Sequence, residues 1–460
     1  MRSILPAALA AGLALLPAVA SAQAGPPDPA LVDEGRFLAV AGDCAGCHGA
    51  DLSGGQPIES PIGAIYASNI TPDGTGIGAW SLDDFEGVMR HGRGPDGLIY
   101  PAMPYTSYTG LTDGQVAALY AYLMLGVEPV ENVPPETDLG FPFYRPLMAG
   151  WNLLFLDEGR ASGAQPVVGA AEERGRMLVE TLGHCTACHS PRGQLMQQLP
   201  DRHLAGGMIG GWWAPNITPD PTGIGDWPDA EVARFLKTGH AAQGIAAGEM
   251  ATVVERSTSR MPDRDIDAIV SYLRAIPPVA SERPEPLPLP GPVEVAALDA
   301  PPTADWRATV RHDTLDGAAL YQSACASCHG RDGEGSADGA HPSLRLVTGH
   351  AATGANLVQV IAHGVNREVG EVHALMPGFR DAMTDAQITA TATYVRAAFG
   401  GVRSEISADD VRTILAGEVD APWLIENAPW LAAAGLGGGI LALGALIAWT
   451  VSRRRRHRHA

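Results

Sequence analysis

A five-residue motif, Cys-x-x-Cys-His, occurs three times in this chain and constrains its fold more than any other feature. The copies are Cys-Ala-Gly-Cys-His at 44–48, Cys-Thr-Ala-Cys-His at 185–189 and Cys-Ala-Ser-Cys-His at 325–329, and together they contain all six cysteines. The spacing is typical of covalent c-type haem attachment, in which the thiols bind the porphyrin and the imidazole ligates the iron. A zinc site or a redox dithiol is the alternative, but zinc sites usually pair two dithiol motifs and thioredoxin-like motifs lack the fixed histidine. The sequence therefore predicts three c-type haems, attached at Cys44, Cys47, Cys185, Cys188, Cys325 and Cys328, with His48, His189 and His329 as iron ligands.

Length and charge narrow the class of protein. The chain has 460 residues, enough for about three domains, and 46% of them are hydrophobic, so sizeable cores can form. The formal net charge of −20 argues against binding to nucleic-acid phosphates. Lys237 is the only lysine in the sequence, so docking through a lysine-rich face is excluded.

The N-terminus has the features of a secretory signal peptide at 1–22. Arg2 supplies the positive charge, the stretch from Ile4 to Val19 is apolar, and Ala-Ser-Ala at 20–22 has the small-residue spacing of a cleavage site. A retained membrane anchor is the alternative interpretation.

A second apolar run, 429–451, carries no charge and is followed by a block of arginines. With a rise of about 1.5 Å per residue, a helix of this length spans a ~30 Å hydrocarbon core. The arginines predict a cytoplasmic tail at 452–460, so we expect an inner-membrane protein whose haem units face the periplasm. A soluble core helix is the alternative.

The sequence also repeats itself between the motifs. Asn-Ile-Thr-Pro-Asp occurs at 69–73 and 216–220, and Thr-Gly-Ile-Gly-x-Trp at 75–80 and 222–227, both at an offset of 147 residues (216 − 69). The third unit lacks this stretch. Every unit begins with a glycine shortly before its first cysteine and ends with an Asp followed nine residues later by a Tyr. This pattern predicts an N-terminal helix that crosses a C-terminal helix where the glycine meets the aromatic ring.

These units predict an all-α fold of three tandem class I cytochrome c-like haem domains, with a signal peptide and one C-terminal transmembrane helix. The aromatic residues of the first linker, at 141–156, either cover the first haem or face a partner subunit. The expected boundaries are signal peptide 1–22, haem domain one 31–126, linker 127–170, haem domain two 171–276, proline-rich linker 277–308, haem domain three 309–400, juxtamembrane segment 401–428, transmembrane helix 429–451 and basic tail 452–460.

Methionines are the predicted ligands on the second face of each iron. Met103 and Met250 hold the same place in the repeat (250 − 103 = 147), and Met376 holds the corresponding place in the third unit. A thioether closes that face and raises the reduction potential, which favours electron transfer over catalysis. Bis-histidine ligation by His91 and His363 is the alternative, but the second unit has no histidine at that place.

Several other side chains are assigned to structural places. Met261 and Met383 stand at the start of the last helix of their units and are expected core residues. Pro61 and Pro342 both lie 13 residues after an iron-ligating histidine (61 − 48 and 342 − 329), so their carbonyls are candidate acceptors for the imidazole N–H. The remaining histidines, His203 among them, are expected on the surface or in loops.

The chain resembles the three-haem cytochrome c subunit of bacterial membrane-bound dehydrogenases, such as the alcohol, gluconate, sorbitol and fructose dehydrogenases. The resemblance rests on the duplicated Asn-Ile-Thr stretch, Tyr-Pro-Ala-Met-Pro-Tyr at 100–105, His-Cys-Thr-Ala-Cys-His-Ser-Pro-Arg at 184–192 and Arg-Pro-Leu-Met-Ala-Gly-Trp-Asn at 145–152. It implies a catalytic partner subunit that carries PQQ, flavin or a molybdenum cofactor. It also implies that electrons leave to ubiquinone or to another cytochrome.

The favoured hypothesis is an electron-transfer subunit that does not itself act on a substrate. A free-standing multihaem cytochrome that links a quinol-oxidising complex to a terminal oxidase is the first alternative. A haem enzyme, of the peroxidase or thiosulfate dehydrogenase kind, is the second, and it needs an open iron face or an additional cysteine. A haem-bearing structural scaffold is the third.

Overall fold

The computed structural model describes residues 28–161, 163–281, 314–336, 340–345, 353–370, 372–402, 406–417 and 421–456. The predicted signal peptide at 1–22 lies outside these residues, as does most of the predicted proline-rich linker at 277–308. Helices dominate the described residues, and ten short strands pair there as five two-stranded antiparallel sheets. The all-α prediction missed these hairpins because their strands are mostly too short to show a period-two pattern.

The first repeat contains five helices and two hairpins. Side-chain caps define where two of the helices begin: Ser81 and Thr112 each form a capping box with the residue three positions later. The elements are α1 (Pro29–Ala41), α2 (Cys44–His48), β1 (Pro57–Ile58), β2 (Ile65–Tyr66), α3 (Leu82–His91), β3 (Arg93–Gly94), β4 (Gly97–Leu98), α4 (Tyr105–Tyr108) and α5 (Asp113–Leu125).

The second repeat follows the same order, after a linker that holds a 3₁₀ turn (Arg145–Leu147) and α6 (Met148–Phe155). It differs from the first by a π-helical turn, Met177–Leu182, between its first helix and its Cys-x-x-Cys-His motif. Its other elements are α7 (Ala170–Arg176), α8 (Thr186–His189), a 3₁₀ turn (Pro200–Arg202), β5 (Gly207–Ile209), β6 (Trp212–Ala214), α9 (Asp229–Thr238), β7 (His240–Ala241), β8 (Gly244–Ile245), α10 (Glu249–Arg256), a 3₁₀ turn (Thr258–Arg260) and α11 (Asp263–Ala275).

The third repeat has a longer hairpin than the other two. Its strands have five residues each, whereas the corresponding strands β3, β4, β7 and β8 have two. The elements from here to the end of the described chain are α12 (Gly317–Ala324), α13 (Ala326–His329), α14 (Ala355–His363), β9 (Val365–Val369), β10 (Val372–Met376), α15 (Asp385–Ala398), α16 (Ala408–Leu415), α17 (Trp423–Glu426) and α18 (Ala428–Arg456).

The first and last helices of each repeat cross at a glycine, as the sequence predicts. A Cβ atom at Gly35 of α1 would lie 1.9 Å from the carbonyl oxygen of Ala118 and 2.7 Å from the Cβ of Tyr122 on α5. Gly175 meets α11 and Gly317 meets α15 in the same way. Because no other residue permits so close an approach of two backbones, the glycine fixes the position of the helix that leads into each motif.

The first two repeats share one hydrophobic core, and the third repeat has a core of its own. Leu38 and Ile77 of the first repeat belong to the same buried cluster as Leu178 and Ile266 of the second. The third repeat has its own cluster, centred on residues such as Val358. The first and second repeats therefore pack together through a shared apolar core.

The predicted transmembrane helix at 429–451 is wrong. Helix α18 covers this run, but within the described parts of the chain no helix is long and apolar enough to cross a bilayer. The predicted inner-membrane location, with haem units in the periplasm and a cytoplasmic tail at 452–460, depended on this helix and is wrong as well. The run is uncharged, but 11 of its 23 residues are glycine or alanine, and such small side chains supply little apolar surface.

In the first two repeats, the Asn-Ile-Thr stretch forms hydrogen bonds with the segment that follows the last helix of the repeat. In the first repeat the Nδ2 of buried Asn69 donates to the carbonyl oxygens of Val130 (2.8 Å) and Asn132 (3.2 Å) and to the hydroxyl of Thr75 (3.1 Å). Its Oδ1 accepts from the backbone N–H of Thr71 at 2.9 Å. The second repeat forms the matching set around its own asparagine, which explains the duplication of this stretch.

Replacing Asn69 with alanine is expected to lower the free energy of unfolding by about 2–3 kcal/mol, because it leaves buried backbone groups without partners. Asn427→Ala is the matched control, since the Asn427 amide bonds only to the carbonyl oxygen of Trp423 in its own helical turn. Urea unfolding followed by circular dichroism measures both. Equal losses in the two variants would contradict the fastening role.

Candidate haem-binding sites

Each Cys-x-x-Cys-His motif forms a short helical turn directly after the first helix of its repeat. These turns are α2, α8 and α13, and no disulfide bond joins any of the six cysteines. Asp43 and His184, which precede the first cysteine in two of the repeats, have positive φ angles of 46° and 34°. This left-handed backbone separates the preceding helix from the motif in the first two repeats; the third has no such residue among those described.

The three motif imidazoles are held by backbone carbonyls through Nδ1. The N–H of His48 donates to Ser68 O at 2.7 Å, and that of His189 donates to Pro215 O at 2.6 Å. Since Nδ1 carries the proton, the Nε2 lone pair of each ring is available to a metal.

Of the two carbonyls predicted to accept from a motif imidazole, one does so and the other does not. His329 donates to Pro342 O at 3.2 Å, which confirms that prediction. The prediction for Pro61 is wrong, because the acceptor for His48 is Ser68. The residue before the repeated Asn-Ile-Thr stretch is the acceptor in both of the first two repeats, so the 147-residue offset (215 − 68) contained the signal.

Burial sets the protonation state of these groups. It lowers the pKa of His48, His189 and His329, although the hydrogen bond to a carbonyl opposes the shift, so the rings are neutral, as iron ligation requires. Burial also raises the pKa of Cys44 and Cys325 to about 12. In the described residues, moreover, no three His, Cys, Asp or Glu side chains are grouped to share a metal ion.

A cavity of about 770 Å³ contains the predicted donors of the second and third repeats. Its wall includes both cysteines, the motif histidine and the predicted methionine of each repeat, together with apolar side chains: Cys185, Cys188, His189, Met250, Cys325, Cys328, His329 and Met376. Paired thiols, a neutral imidazole and a thioether around an apolar space are the donor set that a c-type haem needs, so the residues present fit the group.

Two of the three predicted methionine ligands line the cavity, and the third packs against a core. Met250 stands in the first turn of α10 and Met376 at the end of β10, and both face the cavity. Met103 lies just before α4, partly buried against the core that the first two repeats share. Met261 and Met383 are buried core residues, which confirms their structural role.

The structure gives the bis-histidine alternative no support. The Nδ1 of His91 lies 3.1 Å from Oε1 of Glu158, and His363 is exposed at the end of α14. Axial ligation by Met103, Met250 and Met376 stays the prediction that agrees best with these positions.

One histidine has a role that sequence reasoning did not find. His203 was expected on the surface or in a loop, and it lies in the loop directly after the 3₁₀ turn Pro200–Arg202. It is buried there, and its Nε2 lies 2.8 Å from Oε1 of Glu180, which also accepts from the hydroxyl of Tyr272 at 2.5 Å. Glu180 is fully buried in the π-helical turn of the second repeat. The signal was the spacing: ten residues separate Gly175 from its cysteine, one more than in the first repeat, and the π turn absorbs the extra residue.

The first linker packs on the loop that carries Met103. Tyr100 donates its hydroxyl hydrogen to Phe143 O at 2.8 Å, and Tyr105 donates to Oδ1 of Asn152 at 2.7 Å. The linker thus packs on the first repeat through the carbonyl of Phe143 and the side chain of Asn152. Coverage of the first haem and contact with a partner subunit both stay predictions; Leu153, on α6, is exposed.

Helix α10 connects the ligand regions of the first two repeats. Its Arg256 donates to Ala45 O, inside the first motif, at 2.9 Å, and the hydroxyl of Ser257 donates to Ala41 O at 3.3 Å. Met250 lies on the same helix. The predicted ligand of the second repeat and the attachment turn of the first therefore sit on packed elements.

Comparison with known proteins agrees with this geometry. The family model described as cytochrome c matches residues 32–125 and 172–277, and that of cytochrome c oxidase, cbb3-type, subunit III matches 312–395. The fructose dehydrogenase cytochrome subunit of Gluconobacter japonicus is 40% identical over 92% of this chain and 91% of its own length. The gluconate 2-dehydrogenase cytochrome c subunit of Pantoea cypripedii is 35% identical (90% and 95%), and the alcohol dehydrogenase (quinone) cytochrome c subunit of Gluconacetobacter polyoxogenes is 35% identical (85% and 85%). Together with the c-type haem motifs, these similarities show that the chain belongs to the family of electron-transferring cytochrome c subunits of dehydrogenase complexes.

Proposed function

We propose that the chain is a three-haem electron relay with one c-type haem in each repeat. The thiols of the three motifs attach the haems, His48, His189 and His329 ligate the irons from one face, and Met103, Met250 and Met376 from the other. A c-type haem in this ligation carries one electron at a time between its ferric and ferrous states. The observation that carries the proposal is the single cavity in which two complete Cys-Cys-His-Met sets lie together.

The residues of the chain contribute position, protonation state and exclusion of water. The carbonyls of Ser68, Pro215 and Pro342 orient the imidazoles and keep each Nε2 free. Apolar side chains of the cavity wall surround the donors of the second and third repeats and limit the access of water. The packing of α10 on the first motif keeps the first two sites at a constant separation. These contributions suit electron transfer, which requires little rearrangement on gain or loss of an electron.

Electrons come from the catalytic subunit of a dehydrogenase, since the relatives are subunits of such complexes. We propose that this subunit carries PQQ, flavin or a molybdenum cofactor. We further propose ubiquinone or another cytochrome as the acceptor. The relatives are named as dehydrogenase subunits, which argues against the free-standing cytochrome. In the second and third repeats a methionine shares the cavity with the motif histidine, which argues against the haem enzyme.

Haem stoichiometry tests the relay. The full-length chain, matured in a host that attaches c-type haem, is expected to contain three covalent haems by pyridine haemochrome assay and intact mass. The double variant Cys325→Ala/Cys328→Ala is expected to contain two, as is Cys185→Ala/Cys188→Ala. A native stoichiometry of two, unchanged in either double variant, contradicts the proposal.

A further inference from the structure

A buried arginine stands at the boundary between the second and third repeats. Arg367 lies on β9 of the third repeat and is only 1% exposed. Its Nη1 donates to Ala246 O, in the second repeat, at 2.6 Å. Next to it, Gly239 has a φ of +69°, and a Cβ there would lie 2.5 Å from Nε of Arg367. The second repeat thus provides a site that admits the guanidinium group only because residue 239 has no side chain.

The charge of Arg367 is not balanced by the protein around it. In the described part of the chain, its buried Nη2 has no hydrogen-bond partner, and no carboxylate lies within ion-pair distance of the guanidinium. Burial lowers the pKa of Arg367, and the charge of Glu255 only partly opposes this shift. Glu255 itself accepts a hydrogen bond from the backbone N–H of Glu368 at 2.6 Å. A buried, unpaired cation is costly, so the arrangement calls for an anion.

The register of the hairpin places Arg367 beside residues that line the haem cavity. Arg367 pairs with Ala374 across the two strands, and Val365 pairs with Met376. Since residues two apart point to one face of a strand, these four side chains share a face. Val365, Ala374 and Met376 line the cavity, and so does Ala246, the residue that Arg367 contacts. Arg367 itself does not line the cavity, but its guanidinium lies next to Ala246 of the second repeat, which does.

We propose that Arg367 binds a propionate carboxylate of the haem attached in the second repeat, so that a side chain of the third repeat completes the second site. The proposal rests on the proposed haem occupancy. A haem carries two propionates, and a guanidinium is the side chain that pairs with a carboxylate through two parallel hydrogen bonds. Removing the cation leaves the carboxylate charge uncompensated beside the iron, which favours the ferric state and lowers the midpoint potential.

Arg367→Gln tests this in the full-length chain, with haem content and the midpoint potentials from spectroelectrochemical titration as readouts. We expect three haems in this variant. One midpoint potential should fall by at least 59 mV, which for a one-electron couple is a tenfold change in the ratio of oxidised to reduced haem. Arg367→Lys keeps the charge but not the planar guanidinium. It is expected to lower the same midpoint potential by an amount that changes the ratio of oxidised to reduced haem about threefold. Arg380→Gln, at an exposed arginine of the same repeat that pairs with Asp385, is expected to shift none.

The identity of the haem is tested by combination. In the Cys185→Ala/Cys188→Ala background, which lacks the second haem, Arg367→Gln is expected to leave the remaining midpoints unchanged. Unchanged midpoints in both Arg367 variants with three haems present overturn the proposal, and so does a shift that persists without the second haem. If native protein lacks haem, the proposed function fails instead. A purely structural arginine would change unfolding stability and leave the midpoints where they are.

Discussion

Gly35→Ala is expected to lower the free energy of unfolding by about 3 kcal/mol, the largest stability effect that a single methyl group should have in this chain. The added Cβ would lie 1.9 Å from Ala118 O, so α1 and α5 must separate before the side chain fits. Because α1 leads directly into the first motif, the same change is expected to reduce haem attachment in the first repeat. Chemical unfolding followed by circular dichroism, with haem content measured in parallel, gives both quantities.

Gly114→Ala is the matched control for this crossing. Gly114 lies in α5, near Ala118, but a Cβ at this position would meet no atom within 4 Å. Since alanine is the better helix former, the control is expected to be neutral or stabilising by up to about 1 kcal/mol. A loss of less than about 0.5 kcal/mol for Gly35→Ala, or a similar loss for both variants, would mean that the crossing tolerates a side chain.

Met376→Leu is expected to have the largest effect on redox properties. Leucine keeps the volume but removes the sulfur, so one iron loses its sixth ligand and its midpoint potential falls by on the order of 0.1 V. The red charge-transfer band of methionine-ligated ferric haem should lose about a third of its intensity, one haem of three. The opened site should also bind cyanide rapidly.

The same substitution at Met383 separates ligation from packing. Met383 is buried in the core of the third repeat, and a volume-conserving change there should cost less than about 1.5 kcal/mol. Met383→Leu is expected to leave the band, the midpoints and cyanide binding unchanged. An unchanged spectrum in Met376→Leu would show that another group ligates the third iron.

Local repetition made much of the site predictable from sequence. The Cys-x-x-Cys-His motif specifies its chemistry by spacing alone, and the 147-residue offset pairs Met103 with Met250. The contact of Gly35 with α5 was also predictable, because a glycine and a tyrosine recur at fixed places in each repeat. In each of these cases the residues that determine the structure lie within one repeat or recur at the same places in another repeat.

What sequence reasoning missed depends on contacts that occur once. Arg367 reaches into a neighbouring repeat, and no periodicity connects it with Gly239. Buried His203 contacts Glu180 of the π turn, 23 residues away, and single-residue propensities do not show such a contact. The apolar run at 429–451 was misjudged because length and lack of charge were given more weight than its low apolar surface.

Relay of electrons through three sealed iron sites is the central claim, and an electron paramagnetic resonance spectrum of the fully oxidised full-length protein tests it most directly. The account predicts three low-spin ferric signals of histidine–methionine type that integrate to three haems per chain. A high-spin signal that integrates to one haem or more would contradict it, because at least one iron would then be open to a small molecule.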